Sequence, residues 1–100
     1  MTFDYWADDE QGKPATLEYL MSKLKDEKKG YIREKVRDGG SVLNYSYGKI
    51  VLRGRLPHEM AERLTIRPKG ILKSTTFEEN HKSLKSFIES SGIKLKRIMP

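Results

Sequence analysis

The chain has 100 residues, 36% of them hydrophobic and 34% charged, which is enough material for one hydrophobic core and too little for a second. No stretch approaches the roughly 18 apolar residues that span a membrane, and the start of the chain lacks the pattern of a signal peptide. Cysteine is absent, which excludes disulfides, thiolate nucleophiles and cysteine-based metal sites. We therefore expect a small cytoplasmic domain with no membrane partner.

Charge is distributed unevenly along the chain. The 20 Lys and Arg residues outnumber 14 Asp and Glu residues, for a net charge of +6, yet residues 1–12 contain acidic side chains and no basic one. A basic body behind an acidic start is typical of a protein that binds a polyanion, and equally of an acidic tail that masks a basic surface. We interpret residues 1–13 as an acidic and aromatic N-terminal arm and residues 14–100 as one basic α+β domain.

The arm contains three aromatic side chains, Phe3, Tyr5 and Trp6. Two interpretations remain open. Phe3 and Trp6 dock on the core as an edge strand or ordered arm, or the three aromatics form an arm that binds a partner, because Trp and Tyr dominate the energetics of protein interfaces.

The first helix is predicted after the arm. Pro14 suits a first helical position, and the apolar residues of segment 17–24 recur at every third or fourth position, as on a buried helical face. We expect this helix to end at Gly30 or to continue to Asp38.

Two further helices are predicted in the second half of the chain. Apolar residues at helical spacing predict a short helix over residues 58–64, and residues 65–74 are expected to form a loop or a short extended segment. Thr76 and Glu79 form a capping-box pattern, which opens a helix over residues 76–91.

Residues 41–56 predict a β-hairpin, because both halves are rich in β-branched and aromatic residues and Gly48-Lys49 fits a two-residue turn. If Tyr47 pairs with Ile50, one register explains both faces of the hairpin. The apolar face then holds Leu43, Tyr45, Tyr47, Ile50 and Leu52, and the polar face holds Val42, Asn44, Ser46, Val51, Arg53 and Arg55.

A C-terminal strand is predicted over residues 93–98, where apolar and basic residues begin to alternate. The predicted fold class is α+β. A small antiparallel sheet, made of hairpin 41–56 and strand 93–98, packs against about three helices.

Patterns of catalysis and metal binding are missing from the sequence. The two histidines, His58 and His81, lie in different predicted helices, and no His-Glu-x-x-His motif, Gly-x-Ser-x-Gly elbow or phosphate-binding glycine turn is present. We expect a non-catalytic protein without metal or cofactor. A ribonuclease built only from Arg, Lys, Tyr and Glu around a basic groove is the enzymatic alternative.

Basic side chains from several parts of the chain indicate nucleic acid, DNA or RNA, as the partner. Arg53 and Arg55 project from the polar face of the hairpin, although exposed strands also carry arginine for solubility. Tyr47 is a lesser candidate for stacking on a base. The predicted backbone contacts are Arg53, Arg55, Arg67, Lys69, Lys73, Lys94, Lys96 and Arg97. The prediction requires these residues to converge into one positive surface.

Residues 58–74 also resemble a helix-turn-helix motif in the spacing of their small and apolar side chains, Ala61, Leu64, Ile66 and Ile71. The resemblance implies a recognition helix that presents Arg67, Lys69 and Lys73 to a DNA groove. The segment departs from the motif at Thr65, where glycine is usual, and at Gly70, inside the recognition helix. The order of predicted elements is also similar to one type of KH domain, but the Gly-x-x-Gly loop of that family is missing.

The competing function is a small protein-binding or inhibitor module, of the kind encoded by phages and mobile elements, that blocks a host enzyme or complex. Basic surfaces bind acidic proteins too, and the aromatic arm would then anchor the partner. The sequence leaves both functions open and does not define the oligomeric state.

Overall fold

The computed structural model describes residues 2–25, 30–36, 39–59 and 63–98. Within these residues, six strands pair antiparallel in one sheet with the order β2-β3-β4-β5-β1-β6. The strands are β1 (Phe3–Asp8), β2 (Tyr31–Lys35), β3 (Ser41–Tyr47), β4 (Ile50–Leu56), β5 (Arg63–Pro68) and β6 (Lys94–Arg97), and the helices are α1 (Leu17–Leu24) and α2 (Ser74–Ser90).

Both helices pack on the same face of the sheet. Their apolar side chains recur at the spacing of a helical face and join the inward side chains of the strands in one buried cluster. The helical members of this cluster are Leu17, Leu20, Leu24, Phe77, Leu84 and Ile88. Among the described residues, no helix is long and apolar enough to cross a membrane.

The opposite face of the sheet is covered by neither of the described helices, and we call it the open face. Strand alternation places polar and basic side chains there. Its described side chains are Asp4, Trp6, Asp8, Glu34, Val42, Asn44, Ser46, Val51, Arg53, Arg55, Arg63, Thr65, Arg67, Lys94 and Lys96.

The hairpin of β3 and β4 has the predicted register. Tyr47 pairs with Ile50, and the pairing continues along both strands until Ser41 meets Leu56. Gly48 lies in the turn with a φ of 60°, a conformation that glycine adopts without steric cost. The predicted division into an apolar inner face and a polar outer face is confirmed.

The predicted packing of a small sheet against about three helices is wrong, because the sheet is much larger and, in the described part of the chain, only two α-helices accompany it. The short helix expected over residues 58–64 is replaced by a 3₁₀ turn, Pro57–Glu59, and by the start of β5. Residues 63–67 alternate between polar and apolar side chains, which is the period of a half-buried strand. Residues 60–62 lie outside the described part.

The helix-turn-helix and KH resemblances are overturned by the same finding. The proposed recognition helix coincides with the end of β5 and with the non-helical residues 69–73. The KH-like order places two helices before the last strand, and the first of them has no counterpart in the described residues, because residues 63–68 are a strand.

The first predicted helix is present but shorter than expected. Thr16 is the N-cap of α1, and its hydroxyl oxygen accepts a hydrogen bond of 3.0 Å from the backbone N–H of Tyr19. The continuation to Asp38 is wrong, because residues 31–35 form β2 and pair with β3. Residues 26–29 and 37–38, which the longer helix included, lie outside the described residues.

The last helix and strand agree with the sequence pattern. The predicted capping box of Thr76 and Glu79 is wrong, because α2 begins at Ser74 with Lys73 as its N-cap and Thr76 lies within the first turn. β6 forms as predicted, but its partner is β1.

The N-terminal segment lies inside the sheet. β1 runs between β5 and β6, with Tyr5 opposite both Leu64 and Arg97. Tyr5 and Ala7 point inward and are buried, while Trp6 between them points to the open face. Residues 3–8 therefore form a central strand and not an edge strand.

Candidate nucleic-acid interface

Four exposed arginines lie together on the open face, on the neighbouring strands β4 and β5. We call this group, Arg53, Arg55, Arg63 and Arg67, the arginine patch. Arg55 lies directly opposite Arg63 in the strand pairing. Because neighbouring strands are about 4.8 Å apart and alternate residues of one strand about 7 Å apart, four guanidinium groups originate from a small area of the sheet.

The open face is hollow around the arginine patch. The hollow has a volume of about 740 Å³, and its lining combines cations with apolar surface. Besides the four arginines, the lining residues are Trp6, Val36, Val42, Gly54 and Thr65. The open face therefore offers positive charge and a large aromatic ring in the same concave area.

Among the residues that the structure describes, the carboxylates of the open face do not form ion pairs with the arginine patch. Asp4 accepts a hydrogen bond of 2.7 Å from the Thr65 hydroxyl, and Asp8 lies opposite Lys94 on β6. Within the described residues, the ion pair closer than 4.0 Å joins Lys23 to Glu10, away from the patch. The acidic N-terminal segment thus contributes two carboxylates to this face but does not pair the arginines.

Five of the eight predicted contact residues lie on the open face. Arg53, Arg55 and Arg67 belong to the arginine patch, while Lys94 and Lys96 are exposed on β6, opposite Asp8 and Trp6. β1 separates β6 from β5, so Lys96 and Arg63, which lie on either side of Trp6 in one row, originate from strands about 10 Å apart.

The other three predicted contact residues lie elsewhere. The Lys69 ammonium donates a hydrogen bond of 3.1 Å to the carbonyl of Gly48 in the hairpin turn. Lys73 is the N-cap of α2. Arg97 points to the helix side of the sheet, where its guanidinium lies 4.1 Å from the centre of the Phe3 ring.

The three aromatic residues assigned to the partner-binding arm lie on opposite faces of the sheet. Tyr5 is 1% exposed, and its hydroxyl is 2.7 Å from Nε2 of His81. Phe3 is half-buried, and its ring stacks on His81 with 4.3 Å between the ring centres. Trp6 is 44% exposed on the open face. Of the three side chains, Trp6 is the one that a partner on this face can reach.

Tyr47, the lesser stacking candidate, faces the helices. Its ring stacks on Phe87 at 5.9 Å between centres, and its hydroxyl is 2.9 Å from the Ser83 hydroxyl oxygen. Its aromatic surface is therefore engaged on the side of the sheet away from the arginine patch.

The side chains with shifted pKa values lie on the helix side of the sheet. Burial lowers the pKa of His81, and the positive charges of Lys85 and Arg97 lower it further. Burial is also the main cause that raises the pKa of Tyr5. His81 is therefore neutral near pH 7 and contributes no charge to the open face.

Comparisons with protein-family models, curated proteins and solved structures found no match. Within the described ranges, no group of three or more His, Asp or Glu side chains could hold a metal ion. The function must therefore be inferred from the chemistry of the open face.

Two residues of this face, Arg63 and Trp6, are not among the nucleic-acid contacts predicted from sequence. Arg63 belongs to a basic cluster of the sequence with Arg67, Lys69 and Lys73, but it falls in a segment predicted to be helical, although the alternation of residues 63–67 is typical of a strand. Trp6 was grouped with Phe3 and Tyr5, although strand alternation would separate it from both of its aromatic neighbours if the segment were a central strand.

Proposed function

We propose that the protein binds nucleic acid, without a catalytic step, through the open face of its sheet. The observation that carries the proposal is the direct opposition of Arg55 and Arg63. Like charges at directly opposite positions destabilise a strand pair. A phosphate between the two guanidinium groups relieves this repulsion, and guanidinium groups bind phosphate oxygens through paired hydrogen bonds.

The arrangement of the other cations supports a polymer of phosphates over an isolated anion. Arg53 lies two residues from Arg55 along β4, Arg67 lies one outward position beyond Thr65 on β5, and Lys94 and Lys96 lie across β1 on the same face. Positive charges distributed across several strands contact successive phosphates of one chain and release their counterions, which makes the affinity depend on salt.

The proposal is tested with two double variants that change the net charge equally. Arg55→Glu with Arg63→Glu reverses the opposed pair, whereas Lys25→Glu with Lys82→Glu reverses two exposed lysines of the helix layer. Fluorescence anisotropy measures binding to labelled DNA and RNA between about 50 and 200 mM salt. We expect the arginine variant to lose affinity and to show a shallower salt dependence, while the lysine variant binds as the unmodified protein does.

If both double variants lose affinity equally, the loss comes from net charge alone and the proposal is contradicted. Undiminished binding by a folded arginine variant would also contradict it. Circular dichroism establishes that each variant is folded. Pull-down from lysate before and after nuclease treatment identifies the partner directly. A discrete protein that is retained after nuclease treatment, and lost with the arginine variant, would assign the patch to an acidic protein surface.

A further inference from the structure

Trp6 is exposed in a row of side chains that contains three cations. The row begins at Glu34 on β2 and crosses the sheet through Val42, Arg55 and Arg63, which pair in succession on β3, β4 and β5. Tyr5 lies opposite Leu64, so the next position of the same ladder places Trp6 beside Arg63, and Trp6 in turn pairs with Lys96 on β6. Trp6 therefore has a basic residue beside it on each neighbouring strand, and each of these strands lies about 4.8 Å from β1.

The fold does not account for an indole at this position. Trp6 is 44% exposed and lies outside the buried apolar cluster of the described residues. It lines the hollow together with the arginine patch. A large apolar ring that remains in water, between cations, is suited to a partner that is flat, aromatic and attached to phosphate.

We infer that the open face binds single-stranded nucleic acid, with an unpaired base stacked on Trp6 and the adjacent phosphates on Arg63 and Lys96. This inference rests on the proposed function and specifies its ligand. Proteins that bind single strands combine a positively charged surface with aromatic side chains on which bases stack, and sheet faces are a common platform for such stacking.

A duplex fits the open face less well. Its bases are paired and stacked on each other, so their flat surfaces are not available to an indole. Reading a duplex requires an element that enters a groove, usually a helix or a two-stranded ribbon in the major groove, which is about 12 Å wide. The cations here line a hollow on one face of the sheet and do not project from such an element.

Trp6 is the single tryptophan of the chain, so its emission reports directly on stacking. The test compares three labelled probes of equal length, longer than the roughly 4–16 nucleotides that a small domain occupies. These are a single-stranded oligothymidine, its duplex with oligoadenosine, and an abasic strand that keeps the phosphates and lacks bases. We expect the single strand to bind more tightly than the duplex and to quench Trp6 emission, which the abasic strand should not do.

The variant Trp6→Leu separates stacking from charge. We expect it to weaken binding of the single strand by roughly 5- to 150-fold, the effect of losing one stacked base, and to leave binding of the abasic strand unchanged. Trp6→Phe retains a ring and should recover part of the affinity. Thermal unfolding followed by circular dichroism establishes that both variants are folded, which we expect because the side chain lies outside the core.

Each failure has a distinct signature. Equal binding of the single strand and the duplex, with unchanged Trp6 emission and with sensitivity to Arg55→Glu and Arg63→Glu, overturns the single-strand inference and leaves the proposed function in place. Equal weakening of the base-containing and abasic strands by Trp6→Leu also overturns it. Absence of binding to all three probes contradicts the proposed function itself.

Discussion

Arg55 and Arg63 face each other directly across β4 and β5, and both side chains are exposed on the open face. Such a pair of like charges destabilises the sheet by about 0.2–1 kcal/mol. We predict that Arg63→Thr increases the free energy of unfolding by about this amount at low salt, and that the gain shrinks as salt screens the repulsion. The same substitution should weaken nucleic-acid binding. Urea unfolding at low and high salt, with anisotropy titrations on the same samples, measures both effects.

Arg67→Thr is the matched control, because Arg67 lies opposite Val51 and has no arginine across the ladder. It removes one positive charge from the same strand and introduces the same side chain. We expect it to weaken binding without the salt-dependent stabilisation. Equal stabilisation by both substitutions would show that the threonine itself, and not relief of repulsion, is responsible.

His81 makes stability depend on pH on the acidic side of neutrality. Its pKa is lowered by burial in the folded chain, whereas the unfolded chain has a histidine of ordinary pKa, about 6.5. Between these two values the unfolded state binds more protons, so the free energy of unfolding decreases as the pH falls below about 6.5. We predict that His81→Gln flattens this slope, as measured by urea midpoints between about pH 7 and pH 5.

The second histidine provides the comparison for this prediction. His58 is exposed and has a φ of 54°, a left-handed conformation that asparagine tolerates. His58→Asn is therefore expected to fold, and it is the control that removes a histidine while keeping the contact between His81 and Tyr5. If the pH slope persists in His81→Gln and disappears in His58→Asn, the pH dependence belongs to His58 and the prediction is contradicted.

The hairpin was predictable from sequence because its information is local. A two-residue turn at Gly48 and strict alternation on either side fix the register of Tyr47 with Ile50 without reference to the rest of the chain. The same alternation placed Arg53 and Arg55 on the polar face. The positions of these two members of the candidate site therefore follow from one turn and from the two-residue period of a strand.

The remaining strands depend on partners that are distant in the chain. Phe3 pairs with Ile66, more than sixty residues away, in the ladder between β1 and β5. This pairing makes the acidic, aromatic N-terminal segment a central strand and makes residues 63–68 its neighbouring strand. Local helical spacing over residues 58–64 favoured the wrong element, and pairing with β4 and β1 overrides it. Arg63 consequently could not be assigned to the open face before β5 was known.

Arg97 shows a second reason why the sequence did not predict the whole site. It was grouped with Lys94 and Lys96 because the three are close in sequence, but alternation along β6 puts Arg97 on the helix side, opposite Tyr5. Charge clustering in sequence is one-dimensional, whereas a strand distributes neighbouring residues to opposite faces of the sheet.

Gly54 leaves room for the side chain of Leu64, its partner on β5, on the helix side of the sheet. A Cβ atom at this position would lie 2.5 Å from Cδ2 of Leu64, a fully buried side chain. We predict that Gly54→Ala decreases the free energy of unfolding by about 1–3 kcal/mol through overpacking. In a Leu64→Val background, which lacks the Cδ atoms, the same substitution should cost less. Urea unfolding of the four proteins measures this coupling, and additive effects would contradict the steric explanation.

Lys73 precedes α2 as its N-cap in an extended conformation, and no side chain within the described residues accepts a hydrogen bond as a cap there. We predict that Lys73→Asp raises the free energy of unfolding by about 0.5–2 kcal/mol, because its carboxylate accepts from the first free N–H groups and is favoured at a helix N-terminus. Lys73→Ala removes the same charge and should give no such gain. Since Lys73 lies at the start of α2 and not on the open face, both substitutions should weaken nucleic-acid binding far less than Arg63→Thr does. A loss of affinity equal to that of Arg63→Thr would extend the interface beyond the open face.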